Sequence, residues 1–316
     1  MLASRHVVVL QEGPMTVATI GCVVLLVGFV LGSLYKAVRY VRMPMHVRWE
    51  LYPVAHEKGK VSYGGSYFEE LDWWTKPRET SLVGEVKTIA EEVFTLKAVR
   101  EHNPKLWLPS LLFHYGLYLL FLLGAALLLG GVADGLGVVG LGWLGGGKVL
   151  SRWGVVALGL ATLGCCLLLL RRLGDPTLRN ASSPADFLHL WWLLAVFALS
   201  WANWLVVDRE YTVAAGFVKG LLRLQVGGSV PALFVAQVLL LGAFLAYLPW
   251  SHMTHMFAKY FTWHSVRWDD APNIAGEAYR EKALKLLMLP VSWSAPHIKG
   301  DGKKTWLDVV QERGES

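Results

Sequence analysis

The chain has 316 residues, of which 54% are hydrophobic and 17% charged, with a net charge of +6 and a pI near 9.2. The basic residues bracket apolar runs, which accounts for them without a nucleic-acid groove and excludes nucleic acid as a partner. Its three cysteines, Cys22, Cys165 and Cys166, all lie inside apolar runs, so the chain has no Cys-x-x-Cys ligand set, no disulfide scaffold and no means of holding an iron–sulfur cluster through cysteine.

The first element is the nearly uncharged run 15–35, long enough to cross roughly 30 Å of hydrocarbon as a helix. It is too long for a signal-peptide core and lacks a small-residue cleavage site before the basic segment KAVRYVR, so it reads as a retained span. Segment 1–37 is therefore an N-terminal tail with the first transmembrane helix.

A polar segment, 38–105, follows, and a loop of this length is functional or disordered; its aromatic residues favour order. Within it, SLVGEVKTIAEEVFTLKAVR sets Val83, Val86, Ile89, Val93 and Leu96 at helical spacing, with acidic residues early and basic residues late. The spacing predicts an amphipathic helix lying on the membrane or on a partner.

Segment 106–250 holds four further apolar runs, 106–132, 153–170, 187–207 and 230–250. Between the first two of these, the glycine-rich stretch 130–147 predicts an outer loop. Stretch 208–229 predicts a helix lying flat at the outer interface on Val213, Phe217, Leu221 and Leu224. No carboxylate falls inside the five runs as bounded.

Segment 251–316 is soluble in character, with a short helix ended by Pro290, and Trp293 and Trp306 argue for an ordered docking tail. The fold class expected is an all-α membrane protein with five transmembrane helices. Lysine and arginine concentrate after the first run, before the second, between the third and fourth, and after the fifth. That asymmetry places the N-terminus outside and the C-terminus in the cytoplasm, in a multi-pass protein of the cytoplasmic (inner) membrane.

Polar residues within spans are costly, which makes His114, His189, His252 and His255 functional candidates. All four converge on the cytoplasmic leaflet. Paired imidazoles from facing helices hold haem b, and Gly116 and Gly124 thin the second helix for a flat macrocycle. The same glycines also serve close helix packing, and a lone histidine per helix also serves as hydrogen-bonding glue. For His252 and His255 the alternative is interfacial snorkelling.

LFHYGLYLLFLLG, together with LPWSHMTHM before a cytoplasmic tail, resembles the gamma subunit of respiratory nitrate reductase, a five-helix cytochrome b. MHVRWELYPVAHEKGKVSYGGSYFEELDWWTKPR and KYFTWHSVRWDDAPN resemble the related membrane cytochromes that accompany heterodisulfide-reductase-type iron–sulfur proteins in sulfite-reduction-associated and transmembrane cytochrome c complexes. The family carries two haem histidines ten residues apart on the second helix and two more eighteen apart on the fifth. Laid onto this sequence, the cytoplasmic pair falls on His114 and His255, and the outer pair falls on Gly124 and Gln237.

The resemblance thus implies one haem b, its iron held by His114 and His255. A second haem would have to use His189 with His252. His189, His252 and Lys259 are also the candidates for contacts to haem propionates or to a quinone, while His264 is expected to touch a partner or lipid headgroups.

Function follows from the same resemblance: a one-electron relay between menaquinone and a cytoplasmic iron–sulfur subunit, not a complete enzyme alone. Multihaem cytochrome c or other membrane subunits complete the complexes of this kind. Two rival classes remain, a cofactor-free membrane anchor and a proton or ion transporter using intramembrane histidines.

Overall fold

The computed structural model describes residues 12–42, 58–59, 69–77, 79, 81–261, 275–295, 298 and 300–312. Among them, five helices are long and apolar enough to cross a membrane. They are α1 (Met15–Val41), α4 (Pro104–Gly135), α5 (Lys148–Gly174), α7 (Pro184–Val206) and α9 (Ala232–Tyr247), the last continued to Trp250 by a 3-10 turn. Between α1 and α4 come α2 (Leu82–Thr95) and α3 (Lys97–His102); α6 (Pro176–Asn180) links α5 to α7, and α8 (Thr212–Leu222) lies between α7 and α9. The architecture is that of an all-α multi-pass membrane protein.

The described chain divides between two compact units, one within Met1–Ser33 and Ile89–His252, the other within Leu34–Thr88 and Met253–Ser316. In the first unit the spans alternate in direction. Phe113 faces Gly164 and Gly116 faces Ala161, an antiparallel seam in which a methyl on either glycine would overlap backbone of the other helix. Antiparallel α7 and α9 are joined by Asn203 Nδ2, which donates to the Leu233 carbonyl at 3.0 Å, and by Gln237 Nε2, which donates to Ser200 Oγ at 2.9 Å.

The pair α1 and α9 runs parallel, with Gly21 against Leu239, Leu25 against Gly242, Gly28 beside Ala246 and Gly32 against Pro249. Gly21 and Gly242 each leave room for a leucine side chain of the other helix, so the small residues here seat side chains across the pair. The rest of α1 turns Val17, Ile20, Val24, Val27 and Leu31 outward, as a lipid-facing helix does.

A short antiparallel ribbon, β1 (Glu12–Pro14) with β2 (Ser229–Pro231), fixes the starts of α1 and α9 side by side. Nothing in the hydropathy pattern announces it. The flat interfacial helix expected at 208–229 is α8, but its buried residues are Ala215, Phe217 and Gly220, and it packs into the end of the bundle; Leu224 is exposed beyond its end. Asp208 caps it, accepting from the Thr212 and Ala214 amides at 2.7 and 2.9 Å.

The glycine-rich stretch is only partly loop, because α4 runs on to Gly135 and Gly130 packs against Leu144 of the following 3-10 segment. The carboxylate-free spans also need correction: α7 begins earlier than its apolar run and carries Asp186 in its first turn, while α4 carries Asp134 near its end.

In the second unit, α10 (His255–Lys259), α11 (Ala278–Leu287) and α12 (Trp306–Gln311) follow the fifth span. The helix expected to stop at Pro290 is α11. Trp293 and Trp306 meet edge to face, 6.1 Å between centroids, and Val291 is fully buried.

Candidate functional site

Five of the candidate residues can be placed, three by their contacts within the first unit and two by their helix. His114 stands on α4, where its Nδ1 lies 2.7 Å from the Ser110 carbonyl. A carbonyl only accepts, so Nδ1 carries the proton and Nε2 holds the lone pair. Metal-bound histidines are oriented in this way by a bond from the other ring nitrogen. The rings of Phe113 and Tyr118 flank it, at 5.5 and 6.2 Å between centroids.

Gly116 is not a cradle for a macrocycle. It is occupied by the close approach of α5, and Gly124 faces outward, with nothing within 4 Å of the place a methyl would take.

Pro249 cannot continue the α9 ladder, so the chain turns through Leu248–Trp250, extends at Ser251 and enters a second 3-10 turn, His252–Thr254. His252 and His255 therefore lie beyond the fifth span rather than on it. The turn carries His252 back to the first turn of α7, where its Nε2 lies 3.2 Å from Asp186 Oδ1. The other oxygen of Asp186 closes a capping box, accepting from the Ser183 amide and hydroxyl at 2.7 and 2.9 Å.

One turn further on, His189 is buried, 3% exposed, with Nε2 3.1 Å from the Tyr247 hydroxyl. Its ring touches that of His252, 4.7 Å between centroids, and the Tyr247 ring stacks on Trp192 at 5.6 Å. His189, His252, Asp186 and Tyr247 thus form one polar cluster at the end of α7 and α9.

Rings this close leave no space for an iron porphyrin between His189 and His252, and their ε nitrogens point at Tyr247 and Asp186 instead. The pair does not fit a second haem. Asp186 and Tyr247 escaped sequence reasoning: the first reads as a helix cap in SSPADF, and the second as one more aromatic at a membrane interface.

His255 opens α10 and is exposed, and Lys259 closes it; both belong to the second unit. His264 and most of the residues that carry the second resemblance lie outside the described residues. Among the described residues no group of three metal-ligating side chains comes together. A porphyrin asks only for axial ligands, and His114, with its tautomer fixed, has the chemistry of one.

The fold and these contacts define a multi-pass helical membrane protein with a half-buried histidine on its second span and a polar cluster at the end of its fourth and fifth. Comparison with protein-family models, with curated proteins and with solved structures finds no match.

Proposed function

We propose that the chain is the membrane-bound b-type cytochrome subunit of an anaerobic respiratory complex, relaying electrons between menaquinone and a cytoplasmic iron–sulfur subunit of the heterodisulfide-reductase type. The observation that carries this reading is the bond from His114 Nδ1 to the Ser110 carbonyl, the kind of bond by which the second ring nitrogen orients a metal-ligating histidine. Bound haem b supplies one-electron transfer.

The chain's own residues do the rest. His114 provides one axial nitrogen, and the Ser110 carbonyl holds its ring in place; His255 is the second axial ligand that the family resemblance assigns. One haem is proposed rather than two, because Gln237 is engaged with Ser200, Gly124 has no side chain, and His189 and His252 touch.

Iron–sulfur clusters belong to the partner, since Cys22, Cys165 and Cys166 are all on the spans. The segment between the first two spans and the C-terminal tail are the surfaces proposed to receive it. Multihaem cytochrome c subunits complete the assembly, and this chain alone is not a complete enzyme.

A reduced-minus-oxidised spectrum of the purified chain tests the reading. The expected result is a low-spin b-type signal at one haem per chain, lost in His114→Ala and in His255→Ala and kept in His189→Gln. A colourless wild-type protein overturns it and leaves the cofactor-free anchor.

A further inference from the structure

Among the described residues, two buried nitrogens on α7 have no hydrogen-bond partner, Nδ1 of His189 and Nε1 of Trp192. Such atoms are rare in protein interiors and call for a partner. They sit three residues apart, on one side of the helix, and both rings pack on Tyr247, at 5.5 and 5.6 Å between centroids.

Their chemistry narrows the partner. An indole N–H only donates, so what meets Trp192 is an acceptor oxygen. His189 Nδ1 can take either role, because the Tyr247 hydroxyl at Nε2 both donates and accepts. A ligand that presents carbonyl oxygens in one redox state and hydroxyls in the other satisfies both atoms.

The approach to α7 is apolar. Leu188 and Trp191, each one position before His189 and Trp192, are 52% and 57% exposed, so the face of α7 adjoining the buried pair opens to lipid. Asp186 and His252, with Arg172 4.0 Å from the Asp186 carboxylate, stand at the aqueous end of the same helix. A lipid-soluble head group entering beside α7 meets aromatic planes first and the charged cluster last.

We propose that His189 and Trp192 anchor the head group of a quinone. Trp192 Nε1 donates to a ring carbonyl, while His189 Nδ1 donates to a carbonyl oxygen in the oxidised form and accepts from a hydroxyl in the reduced form. The proposal rests on the cytochrome reading for the choice of quinone, and it assigns that reading a site on α7 and α9.

The test uses the full chain in detergent and a fluorescent probe, 2-heptyl-4-hydroxyquinoline N-oxide, whose quenching reports binding. The wild type is expected to bind it, and Trp192→Phe and His189→Leu each to weaken binding about tenfold through loss of one buried hydrogen bond. Trp192→Phe keeps the ring, and b-type bands of wild-type intensity in both variants show that the fold survives.

Absence of binding to the wild type, or equal affinity in all three proteins, overturns the site. Binding that is sensitive to both variants in a colourless wild type upholds the site and sinks the cytochrome reading instead. Coloured protein with insensitive binding does the reverse.

Discussion

Gln237 Nε2 donates to Ser200 Oγ at 2.9 Å, and Ser200 Oγ passes a bond of 2.9 Å to the Val196 carbonyl. This is the position at which the family resemblance would put the outer haem ligand of the fifth span. The side chain there is instead a bolt between α7 and α9. Asn203, one turn along α7, makes a second with the Leu233 carbonyl.

Replacing the bolt separates packing from cofactor binding. Gln237→Leu is expected to cost about 1 kcal/mol, the usual worth of one interhelical hydrogen bond in a membrane protein. Thermal unfolding in detergent should show the loss, while the haem-to-protein ratio of one that the proposed cytochrome reading requires stays unchanged. A drop in haem content would mean that Gln237 belongs to a cofactor site.

The seam between α4 and α5 makes a sharper prediction. A methyl at Gly164 would overlap the backbone of Phe113, and one at Gly116 would overlap the backbone of Ala161, where no side chain can swing aside. Gly164→Ala and Gly116→Ala should each destabilise by about 2 kcal/mol through overpacking. Gly159→Ala, on the same α5 but with nothing within 4 Å of the added carbon, should leave the unfolding midpoint unchanged or raise it. Equal effects at Gly159 and Gly164 would refute the close approach.

The spans were legible because a membrane demands long apolar helices, and composition alone reveals them. Helix ends were less so. Asp186 belongs to α7 through a capping box that hydropathy does not register, and Asp134 stays helical although glycines surround it. The amphipathic helix expected over 81–100 was legible from spacing as far as Thr95, but not its break at Leu96, which is left-handed between α2 and α3, nor the contacts that fix its end, because they come from α4.

The candidate site was legible only as residue types. His189 and His252 were readable as histidines of one leaflet, but whether they would bracket a porphyrin or touch each other depended on how the chain turns after Pro249. That turn is a matter of backbone geometry over Leu248–Thr254, and its outcome is the contact with Asp186.

The end of α2 supplies another test. Its last carbonyls, which a helix cannot satisfy internally, receive bonds from α4: Tyr118 Oη to Val93 at 3.1 Å, Tyr115 Oη to Phe94 at 3.0 Å and Trp107 Nε1 to Thr95 at 2.8 Å. Tyr115→Phe and Tyr118→Phe keep the rings and delete the donors. Each should raise amide exchange in the last turn of α2 about fivefold, the effect of roughly 1 kcal/mol, and leave the middle of α4 protected. Unchanged exchange in both variants would show that α2 is held by something else.

Alkaline pH should act through Tyr211, in the turn between α7 and α8. Burial, and then the nearby Asp208 carboxylate, push its hydroxyl up to about 12. An unfolded tyrosine ionises near about 10, so the folded value is the higher one. The stabilising contribution is therefore complete below about pH 10 and is lost as the pH rises through about 12. Unfolding midpoints measured from pH 8 to 12 should fall more steeply for wild type than for Tyr211→Phe, which has no proton to release. The other tyrosines are common to both proteins, so the difference isolates this hydroxyl, and parallel curves would mean that it ionises as freely in the folded chain as in the unfolded one.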